Sequence, residues 1–160
     1  MIQAICIDQS VWDTSTLLRR HDWQLSIADL TDEARLGEEG DYLLHLASTG
    51  HAVLLSTFDE NGAPRGAYEV PNSSLRHHVE EYLAIIGKMH GDETNDASAR
   101  MHALDMAKKV VHDAGAKTLE RALPAFARDH ESYRRLFSLL LAVVIDVTRL
   151  PGAIAHRRHV

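Results

Sequence analysis

The segment Asp59-Glu60-Asn61-Gly62-Ala63-Pro64 constrains the fold more than any other stretch of the chain. Asn-Gly is a strong signal for a tight reversal. It stands between two strand-like runs, His51 to Phe58 and Arg65 to Val70, so these two must pair antiparallel. A third run, Tyr42 to Ala47, precedes them across the turn Ser48-Thr49-Gly50, which extends the pair to an antiparallel meander. Ile2 to Ile7 reads as a further short strand near an edge. A sheet of three strands is not stable alone in water, so one of its faces must be covered.

The covering elements follow in the chain. Leu75, Val79, Tyr82, Ile86 and Met89 recur at helical spacing after Pro71-Asn72-Ser73-Ser74, with Ser73 or Ser74 expected as the cap. A second long helix is expected from about Ala97 to Leu123, with Ala103, Met106, Val110 and Ala114 on its apolar side and Gly115 ending or bending it. Beyond Pro124 a last helix is expected over 129–148, apolar nearly all round after Leu136, as in a central buried helix. The same surface could serve as a homodimer interface. Before the meander, Trp23, Ile27, Leu30 and Ala34 mark one face of a helix, capped by Ser10, Asp13, Thr14 or Ser15 and ended by Gly37 to Gly40. Strands first and helices after is the pattern of an α+β domain. The expected architecture is an antiparallel three- to four-stranded sheet packed on three to four helices. One domain spans residues 1–150, with strands mainly at 2–7 and 41–70 and helices mainly at 15–36 and 74–149, followed by a flexible basic tail at 151–160.

Charge and cysteine content narrow the class. A net charge of −6 disfavours broad nucleic-acid binding, which needs a positive surface to release counterions. The single cysteine, Cys6, excludes an internal disulfide and reads as a small buried hydrophobe within an apolar strand. The most apolar run, Leu136 to Val147, falls short of the ~20 residues that a membrane span needs. Asp8 and Asp13 interrupt any secretory signal near Met1. The expected location is the cytoplasm.

The 11 histidines are the most unusual feature of composition. On the second long helix, His102, Asp105, Lys109 and His112 fall within an arc of about 80° and share a face. His102 and His112 are about 15 Å apart along the axis and cannot ligate one ion together. His102 with Asp105 could form half a metal site, which makes a divalent transition metal the one cofactor to consider. The apolar pattern turns this face toward solvent; a functional groove is the alternative. On the preceding helix, His78 has Glu81 and Tyr82 within reach, an arrangement expected to raise its pKa and suit it to acid–base work. Arg134-Arg135 opens the apolar helix and can either fork an anionic ligand or pair with Asp129 or Glu131. A glycine-rich phosphate loop, a zinc-type Cys/His spacing, a nucleophile elbow and a His-x-x-x-His pair are all absent.

Several segments carry a resemblance. Leu75-Arg76 with Val79 and Glu81-Tyr82 is similar to a Phe-Arg…Val-Lys-Asp-Tyr helix. Ala103-Leu104-Asp105-Met106 with His112 and Gly115 resembles an Ala-Ile-Asp-Met…His-Asn-Glu-Gly segment. Arg134-Arg135-Leu136-Phe137 with Leu139 resembles an Arg-Arg-Leu-Phe-Thr-Leu signature, and His21-Asp22 with Ala28 and Leu30 is similar to a first helix. These are segments of a bacterial uncharacterised protein family numbered zero-two-six-two, small cytoplasmic proteins known mainly from alphaproteobacteria. The resemblance spans Tyr42 to Val143. The chain departs from it with Ala107-Lys108-Lys109 in place of Gly-Arg-Arg, with Asp113-Ala114 in place of Asn-Glu, and with His102 in place of a glutamate. The resemblance implies a shared fold and no particular activity. It adds weight to Asp105, His112, Arg134 and Arg135 as a ligand-binding or buried network.

Two functional readings follow. The first is a non-catalytic accessory or ligand-binding protein, a homodimer through the C-terminal helix, with a small molecule or a protein as partner and neither nucleic acid nor membrane. Its ligand-binding candidates are Arg76, Tyr82, Arg134 and Arg135. The second is a small histidine-dependent enzyme acting on a small molecule, with His78, His112 and Asp105 as catalytic candidates and His102 with Asp105 as metal ligands.

Overall fold

The structure, a computed structural model, describes residues 1–37, 39–90 and 97–144. Its elements are β1 (Ile2–Ile7), α1 (Gln9–Asp13), α2 (Leu17–Glu33), β2 (Tyr42–Ser48), β3 (Ala52–Phe58), β4 (Pro64–Pro71), α3 (Asn72–His90), α4 (Ala97–Ala122) and α5 (His130–Val144). The architecture is α+β, with one four-stranded sheet in the order β1-β2-β3-β4. The meander β2-β3-β4 is antiparallel as its turns require. β1 lies parallel to β2 at the edge, because α1 and α2 carry the chain back before β2 begins.

The Asn61-Gly62 turn works through Asp59. One oxygen of its carboxylate accepts hydrogen bonds from the Asn61 and Ala63 amides, both at 2.9 Å, and Gly62 takes a positive φ of 82°. Strand alternation then turns Tyr42, Leu44, Leu46, Val53, Leu55 and Val70 toward the helices. In β1 a register shift between Ile2 and Ala4 lets both Ile2 and Ile5 face inward. Cys6 consequently faces outward opposite His45 and is exposed, contrary to the buried position expected from its apolar neighbours.

Local hydrogen bonding corrects several element ends. Thr16 caps α2 by accepting from the Arg19 amide at 3.1 Å, and Asp8 caps α1, in place of the Ser10-to-Ser15 candidates. α2 stops at Glu33, ahead of the glycines. Gly37 serves a different purpose: a Cβ there would lie 1.9 Å from the Ala125 carbonyl oxygen, so glycine lets two loops touch. α3 starts at Asn72, directly out of β4, which leaves Ser73 and Ser74 inside its first turn. The Asn72 amide donates to the His51 carbonyl at 2.8 Å and ties that junction to the sheet.

α5 is the central helix. Leu136, Phe137 and Leu139 to Val143 are all buried, packed between α2 and α4. The Trp23 indole donates to the Ala142 carbonyl at 2.9 Å and Arg19 to the Val143 carbonyl at 2.8 Å, which satisfies acceptors in its last turn. The apolar side chains of α5 up to Val144 are thus engaged within the chain. Residues 145–150 at the end of the expected helix, the expected tail at 151–160 and the side chain of Met89 lie outside the described residues.

α4 differs most from its expected face. Met106 and Val110 are 50% and 62% exposed, while Lys108, Val111, Gly115, Ala116 and Leu119 face inward. Gly115 neither ends nor bends the helix. A Cβ on it would lie 2.3–2.5 Å from three ring carbons of Phe137, so the glycine allows α5 to lie close against α4.

Candidate binding cavity between α2, α4 and α5

Three helices bring polar side chains together at one end of this packing. α2 contributes Asp22, Ser26 and Asp29, at i, i+4 and i+7 on one face. α4 contributes Asp105, Lys108, Lys109 and His112, again within one face. From α5 come Glu131, Arg134, Arg135 and Ser138, with Leu141 and Ala142 deeper. Tyr82 of α3 completes the wall. The cavity, open to solvent on one side, measures about 410 Å³, within the usual size range of small-molecule sites.

One rim is ordered by ion pairs. Arg134 Nε lies 3.2 Å from Asp113 and its Nη1 3.3 Å from Glu131. Arg135 reaches Asp29 at 3.4 Å and Glu131 at 3.7 Å. Glu131 therefore bridges both arginines, as the alternative pairing read from their spacing requires. Asp113 also accepts from His130 at 3.2 Å, and this hydrogen bond, with the Arg134 charge, holds its carboxyl below the usual carboxylate range. Asp129 instead caps α5 by accepting from the Ser132 amide at 2.8 Å.

His112 is the histidine the cavity uses. Its Nδ1 lies 2.8 Å from the Lys108 carbonyl, which can only accept, so Nδ1 carries the hydrogen of the neutral ring and Nε2 keeps its lone pair. Burial pushes its pKa down, the Arg134 and Lys108 charges push the same way, and the Lys108 carbonyl bond and Asp113 oppose them. The ring stands edge-on to Phe137 at 5.4 Å and to Tyr82 at 6.3 Å.

His78 does not line the cavity; its ring stands edge-on to Phe137 at 5.9 Å. The Thr118 hydroxyl donates to Ala114 O at 3.2 Å, so it accepts from His78 Nε2 at 2.7 Å. The proton is thus on Nε2, and Nδ1 is buried without a partner. The raised pKa expected from a Glu81 contact is not found. Burial and the neighbouring His77 lower the pKa, and the Glu81 carboxylate lies 3.9 Å from His77 instead.

The structure thus gathers Tyr82, Asp105, His112, Arg134 and Arg135 at one cavity. It leaves His78, Arg76 and His102 outside the lining, the last two on exposed surface. The half-site His102–Asp105 gains no further ligands: among the described residues no three His, Cys, Asp or Glu side chains stand close enough to hold a metal ion. The apolar pattern was misleading for the Asp105–His112 face, which turns into the cavity. Lys108, Asp22, Ser26 and Asp29 were not singled out from the sequence. The three α2 residues carried a usable signal, since polar side chains repeat there at helical spacing beside the Trp23 stripe.

A family model described as an uncharacterised protein family, UPF0262, matches residues 1–146, which include every residue lining the cavity. The chain belongs to the UPF0262 family. It is 28% identical over 144 residues to a UPF0262 protein of Rhodopseudomonas palustris strain BisA53, covering 87% of this chain and 88% of that protein. It is equally 28% identical over 145 residues to UPF0262 protein BRADO6636 of Bradyrhizobium sp. strain ORS 278, covering 87% and 86% respectively. No solved structure matches. UPF0262 membership assigns no activity.

Proposed function

We propose that the protein binds a small polar molecule in the cavity between α2, α4 and α5 and acts as a cytoplasmic binding or accessory protein. One observation carries this reading. Asp105, His112, Arg134 and Arg135, the four residues weighted by the family resemblance, come from two helices and all line the same cavity. Residues kept only for packing have no reason to converge on open volume. The cavity sets eleven polar or charged side chains and Tyr82 against the apolar Leu141 and Ala142, a lining that suits a polar ligand.

A specific observation favours the second reading, a histidine-dependent enzyme. A neutral His112 whose Nε2 is an acceptor has the protonation state of a general base. Binding remains the preferred reading, because His78, the second histidine among the catalytic candidates, does not line the cavity that holds His112.

The test is a native mass spectrum of freshly purified protein with elemental analysis, followed by amide NMR against a library of small polar compounds. A co-purifying small molecule, or compounds that shift the amides of Ser26, His112 and Ser138 together, is the expected result. A library that shifts none of them would sink the reading. The same spectrum reads the proposed homodimer from its mass.

A further inference from the structure

The hydrogen-bond inventory of the cavity is unbalanced in one direction. Lys108 is 8% exposed, lines the cavity, and its buried Nζ has no hydrogen-bond partner. An ammonium in such a place is costly unless an acceptor meets it. Nε of Arg134 and Nε of Arg135 are likewise buried without a hydrogen-bond acceptor. They lie 3.2 Å and 3.4 Å from the carboxylates of Asp113 and Asp29, close enough to pair in charge but not aligned to bond. All three unmatched atoms are donors on the cavity's lining residues. What these three donors lack is an acceptor.

We infer that the ligand carries an anionic group, a carboxylate or a phosphate, and that Lys108 is the residue that receives it. The inference rests on the ligand-binding reading above and names its ligand class. Arg134 and Arg135 flank the site from α5, each already held by Glu131, so they are positioned before any ligand arrives. The Lys108 side chain leaves α4 one turn before His112, whose Nε2 then stands beside the bound anion as an acceptor for a hydroxyl or N–H on the same molecule.

The carboxylates of the lining set an upper limit on ligand charge. Lys108, Lys109, Arg134 and Arg135 are matched in number by Asp22, Asp29, Asp105 and Glu131, so the lining is neutral with His112 uncharged. A triphosphate or a nucleic-acid backbone would meet four carboxylates. A compact carboxylate or phosphate monoester places its charge at Lys108 and directs its remaining hydrogen-bonding groups to the acid side chains. Burial lowers the Lys108 pKa and Asp105 opposes this; an anion held against Nζ would favour the protonated form further.

The experiment is thermal denaturation of the full chain with inorganic phosphate and, separately, acetate, each against sodium chloride at matched ionic strength. A bound anion at tenfold excess over its dissociation constant raises the melting temperature by about 3–6 °C for a domain of this size. Lys108→Met removes the amine while keeping most of the volume. The expected result is a variant that melts at or above the wild-type temperature without anion and has lost the anion-induced rise, whereas Lys108→Arg keeps it. An equal rise in Lys108→Met overturns the proposal, because the anion is then bound elsewhere. No rise in the wild type with either anion also overturns it. In that case neutral compounds that still shift the cavity amides leave the ligand-binding reading standing, and a library without effect removes both. If neither variant folds, phosphate titration of the wild type by amide NMR decides, with shifts expected at Asp105, Lys108, His112, Arg134 and Ser138 and their absence refuting the assignment. A rise with phosphate alone points to a phosphate monoester, and a rise with acetate to a carboxylate.

Discussion

Substituting Gly115 by alanine would add one methyl group where the fold has no room for it. The new Cβ would lie 2.3, 2.4 and 2.5 Å from Phe137 Cε2, Cδ2 and Cζ. Carbon atoms in contact rest at about 3.5–4.0 Å, so the ring or the helix must retreat by about 1 Å or more. Phe137 is fully buried, with His78 and His112 against it at 5.9 and 5.4 Å, so the ring cannot retreat without disturbing both. Overpacking of this kind costs about 1–3 kcal/mol, and more where nothing can yield. Alanine returns about 1 kcal/mol through its higher helix propensity. The balance is a net loss of up to about 2 kcal/mol, and more where the ring cannot retreat, read as a lower urea midpoint at unchanged slope. A double variant with Phe137→Leu should lose less than the sum of the single losses, because the smaller side chain removes the clash. Equal or greater stability of Gly115→Ala alone would refute the account, since it would mean that α4 and α5 are not held together by this close approach.

Three further predictions use other parts of the fold. Burial lowers the pKa of both His78 and His112 from an ordinary value of 6.5, so the unfolded chain takes up these protons first as pH falls. Their contribution to stability is complete above pH 6.5 and is lost below it toward their folded values; urea midpoints at pH 7.5 and 5.5 should show the fall, and His112→Gln should reduce it. Tyr133→Phe removes a buried hydroxyl that donates to the Leu123 carbonyl at 2.6 Å and accepts from the Ala127 amide at 3.3 Å, a loss of about 1–3 kcal/mol by thermal or urea denaturation. Thr16→Ala removes the cap of α2 and should cost about 1 kcal/mol, with Thr16→Ser restoring most of it.

The meander was legible because turn chemistry fixes it locally: Asn61-Gly62 with Asp59 needs no information from elsewhere in the chain. The central burial of α5 was legible for a similar reason, since an unbroken apolar run leaves a short helix few other places. α4 was misread because its inward face is built from Lys108, Gly115 and Ala116 as well as Val111 and Leu119, while Met106 and Val110 lie outside. Periodicity assigns apolar residues to the core. It cannot foresee a face chosen for closeness, where a glycine against Phe137 matters more than a methionine. The cavity was half legible. Asp105, His112, Arg134 and Arg135 stood out by type and spacing, but the Asp22-Ser26-Asp29 wall became visible only once α2 was placed against α5.

The same helix explains why core and cavity meet where they do. α5 begins with Glu131, Arg134 and Arg135 and turns wholly apolar after Phe137, apart from Ser138, so its first turns lie at a polar rim while the rest fills the core. The ion pairs at that rim are partly exposed and contribute little to folding, since such pairs are worth about 0–1 kcal/mol each. Their effect is geometric: Glu131 lies against one Nη1 of each guanidinium group, and Asp113 and Asp29 lie beside the Nε atoms. Lys108 stands outside this lattice, buried and with no hydrogen-bond partner for its Nζ. A packing role would be better filled by methionine or leucine, which need no partner. The buried amine is the feature from which we infer that the last component of the site arrives from outside the chain.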